Sequence, residues 1–284
     1  MAARLMGYVS ASNTPTIVAP SAYGVATGGI GSAQSTGTLA DGFSYSYLTF
    51  NSTGTLTVTT AGYFDYCAVG GGGGASNNNS RGGGGGGGQV LIGSVYLSAN
   101  QTITIGAGGS FSSLQVATQG GNTSVAATSP FTQTALGNIG YVYADSSGAY
   151  VGGGQGSSGG GTSIAITEST ANGYRGGNSN SSLSGGGGGG ATSRGGNSAS
   201  STGGAGGEGF DVSVFIGSTA LYKGMGAGGG ATGTGGAAPT GGVAGSTNTT
   251  PSNGNANSGG GGGGGSGVIT TGNGGSGICY IRFR

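Results

Sequence analysis

Residues 82–88 read Gly-Gly-Gly-Gly-Gly-Gly-Gly, and further unbroken blocks stand at 70–74, 185–190 and 259–265. Glycine makes up 78 of the 284 residues. It loses more backbone freedom on ordering than any other residue. That cost is about 1–2 kcal/mol per residue, and no side-chain burial offsets it. A chain keeps such blocks in one of two ways. Either they stay disordered, or they pack backbone against backbone more closely than any Cβ permits. Disordered chains are normally highly charged and poor in aromatics. Here only 5% of residues are charged, and 13 Tyr and 8 Phe are present. The blocks also alternate with β-branched segments and tyrosines, which favours packing.

The packed form is constrained. A central strand of glycine buries no side chain. Extended polyglycine instead takes a helix like polyproline II, with three residues per turn, about 3.1 Å rise and no internal hydrogen bonds. Its N–H and C=O groups must then find partners on neighbouring segments. Several such helices side by side form a lattice. Collagen follows the same logic, because only glycine fits its crowded axis, but no strict Gly-X-Y period exists here.

Working outward, glycine is uneven: residues 1–69 hold 9 of the 78. Residues 1–44 read as loops and short strands, an N-terminal attachment segment, and 45–284 as a glycine-rich β domain. Thr55–Thr59 alternates, Ala61-Gly62 turns and Tyr63–Val69 follows, which predicts a β-hairpin running into the first block. Further short strands are expected at Gln89–Leu97, Thr102–Ile105, Leu136–Tyr143, Ser163–Thr167, Asp211–Ile216 and Gly277–Arg284. The last alternates, with Cys279, Ile281 and Phe283 on one face and Tyr280, Arg282 and Arg284 on the other. No helical stripe is present. The fold class is therefore all-β: short antiparallel strands combined with packed polyglycine-II-like segments, and no substantial helix.

Composition excludes several functions. Net charge is +1 and Lys223 is the only lysine, so no basic stripe follows a phosphate backbone. There is no histidine, which removes Ser-His-Asp and Cys-His systems and most zinc sites. Of the carboxylates Asp41, Asp65, Asp145, Glu168, Glu208 and Asp211, only the last two are close in sequence; they read as solvated loop charges or turn caps. No glycine block runs into Gly-Lys-Ser/Thr and a helix, as a phosphate loop requires. Met1–Gly7 is too short to read as a signal peptide, and no apolar run reaches membrane-spanning length. Cys67 and Cys279 are expected as buried free thiols, brought close if their strands pair. No catalytic, cofactor or metal site is expected.

Tyr66-Cys67-Ala68-Val69 running into Gly70–Gly74 resembles the opening strand of the glycine-rich domain of bacteriophage tail proteins. Gly274-Gly275-Ser276-Gly277-Ile278-Cys279-Tyr280-Ile281-Arg282-Phe283 resembles its closing strand. Gln89–Leu97 and Thr102–Gly109 are similar to strands between them. The resemblance covers roughly residues 45–284. It implies a non-enzymatic virion structural protein on the particle exterior, assembled in the host cytoplasm. Its place would be a tail fibre or tail tip that touches the host surface, with a capsid decoration or head-fibre protein as the alternative. An ice-binding glycine bundle is a remote third, set aside because the glycine spacing looks irregular. Implied partners are other virion proteins through residues 1–44, and a host glycan or outer-membrane protein. A homo-oligomer, trimeric or sixfold-arranged, is expected by analogy. No nucleic acid is expected as a partner.

Candidate surface contacts are Tyr141, Tyr143, Tyr150, Tyr174, Arg175 and Arg194. Tyrosine offers a flat apolar face with a polar tip, suited to sugars and protein interfaces; it equally covers a lattice edge. An arginine beside a glycine run either contacts an anion or sugar, or caps orphan carbonyls with its five donors.

Overall fold

The computed structural model describes residues 23–76, 82–113, 116–125, 133–135, 174–179, 183–267 and 271–284. The strands are β1 (Val25–Thr27), β2 (Gln34–Thr38), β3 (Ser44–Phe50), β4 (Gly54–Thr60), β5 (Gly62–Val69), β6 (Val90–Leu97) and β7 (Gln101–Thr104). Then come β8 (Phe111–Ser113), β9 (Val116–Ala117), β10 (Thr123–Val125), β11 (Gln133–Ala135) and β12 (Phe210–Asp211). The helix α1 (Ser213–Ile216), β13 (Tyr222–Lys223) and β14 (Ile278–Phe283) complete the described elements.

Two five-stranded sheets, ordered β2-β3-β14-β5-β6 and β1-β4-β7-β10-β11, contain most of these strands. Every strand pair is antiparallel. The core between the sheets contains Leu48, Phe50, Leu56, Phe64, Tyr66, Ile103, Val125, Cys279, Ile281 and Phe283. A second cluster covers the other face of the first sheet, where Val212, Phe215 and Ile216 pack with Cys67, Val69, Ile278 and Tyr280. The central strands β5 and β14 are therefore buried on both faces. This explains why both strands carry apolar residues on both faces, Phe64, Tyr66, Cys279 and Ile281 on one and Cys67, Val69, Ile278 and Tyr280 on the other.

Two local expectations are corrected. Residues 54–69 do not form a hairpin: β4 pairs with β1 and β7, and β5 pairs with β14 and β6. The Ala61-Gly62 turn instead carries the chain from one sheet to the other. Leu56 and Phe64 thus reach the same core from opposite sides. The expected strand at 211–216 does not continue beyond Asp211. The chain leaves β12 at Asp211, whose carboxylate accepts hydrogen bonds from the Ser213 and Leu221 amides at 3.0 and 2.9 Å. That closes a loop around α1, whose Phe215 and Ile216 bury against the sheet. Gly217 ends the helix at φ 69°, with Thr36 O where a Cβ would sit. The expected strands at 136–143 and 163–167 lie outside the described residues. Residues 25–27 and 34–38, within the N-terminal segment, supply β1 and β2 to the two sheets.

Beyond the sandwich the glycine segments run side by side, up and down. Segments 70–76, 106–110, 174–179, 193–198, 224–231, 242–247 and 259–266 run away from the sheets. Segments 82–88, 118–122, 184–191, 202–208, 234–238, 252–255 and 271–277 return. Their lateral bonds repeat every third residue. The amides of Gly73 and Ser76 donate to Gly86 and Gly83, those of Gly71 and Gly74 to Gly121 and Thr118, and those of Gly72 and Ala75 to Gly275 and Gly272. Segment 224–231 does the same, with 226 and 229 bonded to Gly207 and Gly204, 227 and 230 to Gly85 and Gly82, and 228 and 231 to Val243 and Ser246. A period of three is the signature of the polyproline-II-like helix.

Segment 259–266 exchanges bonds with six neighbours: 70–76, 82–88, 224–231, 242–247, 252–255 and 271–277. Each partner backbone lies where a side chain would need to be. A Cβ on Gly85, Gly188 or Gly261 would fall within 3.0 Å of neighbouring backbone atoms. Glycine is required there by close approach, not by a special φ. The lattice grows directly from the first sheet, since β5 runs into 70–76, 82–88 runs into β6 and 271–277 runs into β14.

Candidate functional site

The up-and-down course gives the lattice two ends. One joins the sheets. The other, the distal end, collects the turns at 199–201, 232–233 and 246–251 together with the described flanks of neighbouring turns, such as Leu183, Ser266 and Thr271. These turns brace one another. The amides of Gly233 and Thr234 both donate to Ser201 O at 3.0 Å, and the Thr232 amide donates to Leu183 O at 2.9 Å. Bridges link Ser184 to Ala231 and Thr202 to Thr234. The Ser184 hydroxyl donates to Ser200 O at 2.9 Å and that of Ser246 to Thr249 O at 2.8 Å. Ser200 and Asn248 hold left-handed backbone, φ 47° and 48°, a strained conformation for residues with a side chain.

The result is one surface fixed from below by the lattice. Ser200, Thr202, Thr232, Thr234, Asn248, Thr249 and Thr250 are exposed on it, and the described residues of these turns carry no charge. Chemically it offers hydroxyls and amides at fixed positions and no titrating group.

The perimeter helices explain how side chains are admitted at all. Segment 202–208 reads Thr-Gly-Gly-Ala-Gly-Gly-Glu; Thr202 and Ala205 are exposed and Glu208 half-buried, while Gly203, Gly204 and Gly207 are buried. Segment 194–197 reads Arg-Gly-Gly-Asn and 234–237 reads Thr-Gly-Gly-Ala, again with both outer residues exposed. With three residues per turn, every third position faces solvent. The spacing that looked irregular is a three-residue repeat in these perimeter segments.

Of the six candidate contacts, Tyr141, Tyr143 and Tyr150 lie outside the described residues. The other three come together, at the sheet-side end of the lattice. The Tyr174 amide donates to Gly190 O and the Gly195 amide to Arg175 O, both at 3.0 Å. Tyr174 and Arg175 are half-buried and Arg194 is exposed. They are therefore distant from the distal turns. The distal residues were not singled out from sequence, although their Ser/Thr/Asn clusters between glycine segments are a turn signal.

The carboxylates divide. Asp41 accepts from the Phe43 amide at 3.0 Å and the Tyr45 hydroxyl at 2.7 Å, and these bonds hold its carboxyl below the usual range. Asp211 caps its loop, and the bond from Leu221 foremost lowers it as well. Glu208 Oε2 accepts from the Thr240 amide at 3.0 Å. Asp65 is not a solvated charge. It is buried, pairs with Arg282 at 2.9 Å and accepts from the Tyr23 and Ser94 hydroxyls. The Arg282 guanidinium sits over the Tyr45 and Phe215 rings at 4.2 and 4.3 Å and donates to Phe215 O. This network binds α1 to the first sheet. Asp145 and Glu168 lie outside the described residues.

Cys67 and Cys279 are free and buried. Their strands do pair, but Cys67 stands opposite Tyr280 and Cys279 opposite Ala68. Residues facing each other across an antiparallel pair share a face, so the two thiols point to opposite faces of the sheet. Burial pushes Cys67 up to about 12 and Cys279 well above its ordinary value.

A family model described as a glycine-rich domain matches residues 48–284, from within β3 to the last residue. The chain belongs to this glycine-rich domain family. The matched span takes in the closing strand β14 and the whole described lattice, so in this glycine-rich domain the packed polyglycine is the body of the fold. The two N-terminal strands β1 and β2 precede it. No curated protein matches the chain.

Proposed function

We propose that this glycine-rich domain is a non-enzymatic structural protein of a bacteriophage virion, displayed on the exterior as a tail-fibre or tail-tip module that contacts the host surface. The observation that supports it most is the collection of neutral hydroxyl- and amide-bearing turns on one end of a rigid lattice. The lattice fixes the backbone on both sides of each turn, so little ordering entropy is lost when a partner binds. Low charge suits contact with glycans or with the loops of outer-membrane proteins. The sandwich end, which includes β1 and β2, then faces the particle, and residues 1–44 are proposed to attach the domain to other virion proteins.

Two measurements test this. Antibody against the domain is used to label purified virions for electron microscopy. Label at a fibre or tail end supports the reading. Label over the capsid assigns the decoration role instead, and absence from the particle refutes both. Separately, Thr232→Arg with Thr249→Arg should abolish binding of the purified protein to host cells while leaving its melting temperature within about 2 °C, as surface changes do. Unchanged cell binding would refute the distal end as the contact face.

A further inference from the structure

The chain spends its only lysine on a buried position. Lys223 is 7% exposed, and no carboxylate pairs with it among the described residues. Its ammonium has three N–H donors, and one is used, on Asn257 O at 2.7 Å. Burial pulls its pKa down, with only the nearby Cys67 thiol opposing. A buried cation without a counter-charge is costly, and a neutral residue could bond the same carbonyl.

Lys223 lines a cleft of about 430 Å³. The cleft lies at the sheet-side end of the lattice, between β13 and the turns at 239–242 and 254–258. Its walls are held in place. The Asn255 side-chain amide donates to Gly241 O at 2.9 Å, joining the two turns, and Ser258 bonds Asn255 O at 2.5 Å while accepting from the Gly260 amide. Glu208 is engaged by the Thr240 amide and does not line the cleft. Tyr222 and Thr240 do line it, and neither hydroxyl has a hydrogen-bond partner among the described residues. Ala220 and Leu221 add apolar surface.

We propose that this cleft binds a compact carboxylate ligand of the acidic-sugar class. The carboxylate supplies the counter-charge that Lys223 lacks. Ring hydroxyls satisfy Tyr222 and Thr240, and the apolar ring face rests on Tyr222. Lys223 is the one charged residue of the lining, so the cleft neutralises a single negative charge, which suits a monoanion better than a doubly charged phosphate. The volume suits one or two sugar units. The cleft lies at the opposite end of the lattice from the distal turns, so this proposal does not depend on the role assigned to them.

Because Lys223 is the only lysine, incorporation of lysine carbon-labelled at the ε position gives one side-chain NMR signal. The full-length protein is titrated with glucuronate, galacturonate and N-acetylneuraminate, with glucose and inorganic phosphate as controls. At least one acid should move the Lys223 signal saturably, and glucose should not. By calorimetry Lys223→Met should weaken that binding at least about tenfold, the usual scale for losing a hydrogen bond to a charged group. Tyr222→Phe and Thr240→Val, which remove only hydroxyls, should each weaken it several-fold. No saturable shift with any of the three acids overturns the proposal. So does phosphate binding as tightly as the best of them, or wild-type affinity in Lys223→Met. If Lys223→Met does not fold, unchanged affinity in both hydroxyl variants overturns it.

Discussion

Replacing Gly85 with alanine should destabilise the protein by about 2–5 kcal/mol. Gly85 lies inside one of the two seven-residue glycine blocks. Its amide donates to Gly262 O at 2.8 Å, and its carbonyl accepts from the Ala227 amide at 3.0 Å. A methyl group there would land on Gly73 O and come within 2.8 Å of Gly262 N. Those two atoms are themselves bonded at 3.1 Å. The contacted atoms are backbone of two separate helices, each held by further neighbours, so no flexible side chain can yield. Admitting the methyl breaks at least the bonds from Gly85 to Gly262 and from Gly262 to Gly73. Each contributes about 0.5–1.5 kcal/mol, and each buried group left unpaired costs about 1–3 kcal/mol. Alanine restricts the unfolded chain and returns about 0.4–1 kcal/mol. At about 2–4 °C per kcal/mol for a chain near this size, the melting temperature should fall by roughly 4–20 °C. Gly54→Ala is the control, since its Cβ would meet nothing nearer than Phe50 at 3.7 Å; it should be neutral or slightly stabilising. Calorimetry and denaturant midpoints read both variants. A Gly85→Ala midpoint at or above wild type would refute close packing of this block.

Other consequences follow from the network and the thiols. Arg282→Met leaves Asp65 buried without its partner and should cost about 3–5 kcal/mol in denaturant titration; a loss below about 1 kcal/mol would mean the pair is solvated. Cys67 and Cys279 should resist thiol reagents at neutral pH and react after denaturation, and an intact mass matching an internal disulfide would contradict their opposite facing. Stability should also fall in alkali. Burial raises Cys67, Cys279, Tyr45 and Tyr280 above their ordinary values of 9.0 and 10.0. Above about pH 9 the unfolded chain sheds these protons and the native state keeps them, so the unfolded state gains by about 1.4 kcal/mol per pH unit per buried thiol. The depressed Lys223 acts oppositely as one group. Denaturant midpoints that hold steady from pH 8 to 11 would contradict the burial of these groups.

Much of the fold is legible because it depends on local pattern. The alternation of Cys279, Ile281 and Phe283 gives β14 and its two faces. Unbroken glycine at 82–88, 185–190 and 259–265 marks helices enclosed by neighbours. The misreadings have a common origin. Thr55–Thr59 and Tyr63–Val69 both look like strands, but nothing local says whether Ala61-Gly62 folds them together or sends them to different sheets; shared burial of Leu56 and Phe64 decides that. Ser213–Ile216 is helical because Asp211 closes a loop around it, a bond from a residue outside the segment. The perimeter repeat, Thr202-Gly-Gly-Ala205-Gly-Gly-Glu208, was present in the sequence all along. It becomes readable only once the three-residue period is known to be the helix period. The candidate contacts fared similarly: Tyr174, Arg175 and Arg194 meet through backbone bonds spanning up to twenty residues, while the distal Ser/Thr turns carry no distinctive residue type.

Amide hydrogen exchange tests the lattice most directly, because its bonds are backbone N–H bonds with no side chain involved. Gly85, Gly188 and Gly262 amides donate to Gly262, Ala227 and Gly73 and lie in fully buried segments. They should exchange with protection comparable to Ile281 in β14, near the global unfolding limit. Exchange of 82–88, 185–190 and 259–265 at random-coil rates, with β14 still protected, would mean that the glycine blocks are tethers and that no lattice exists.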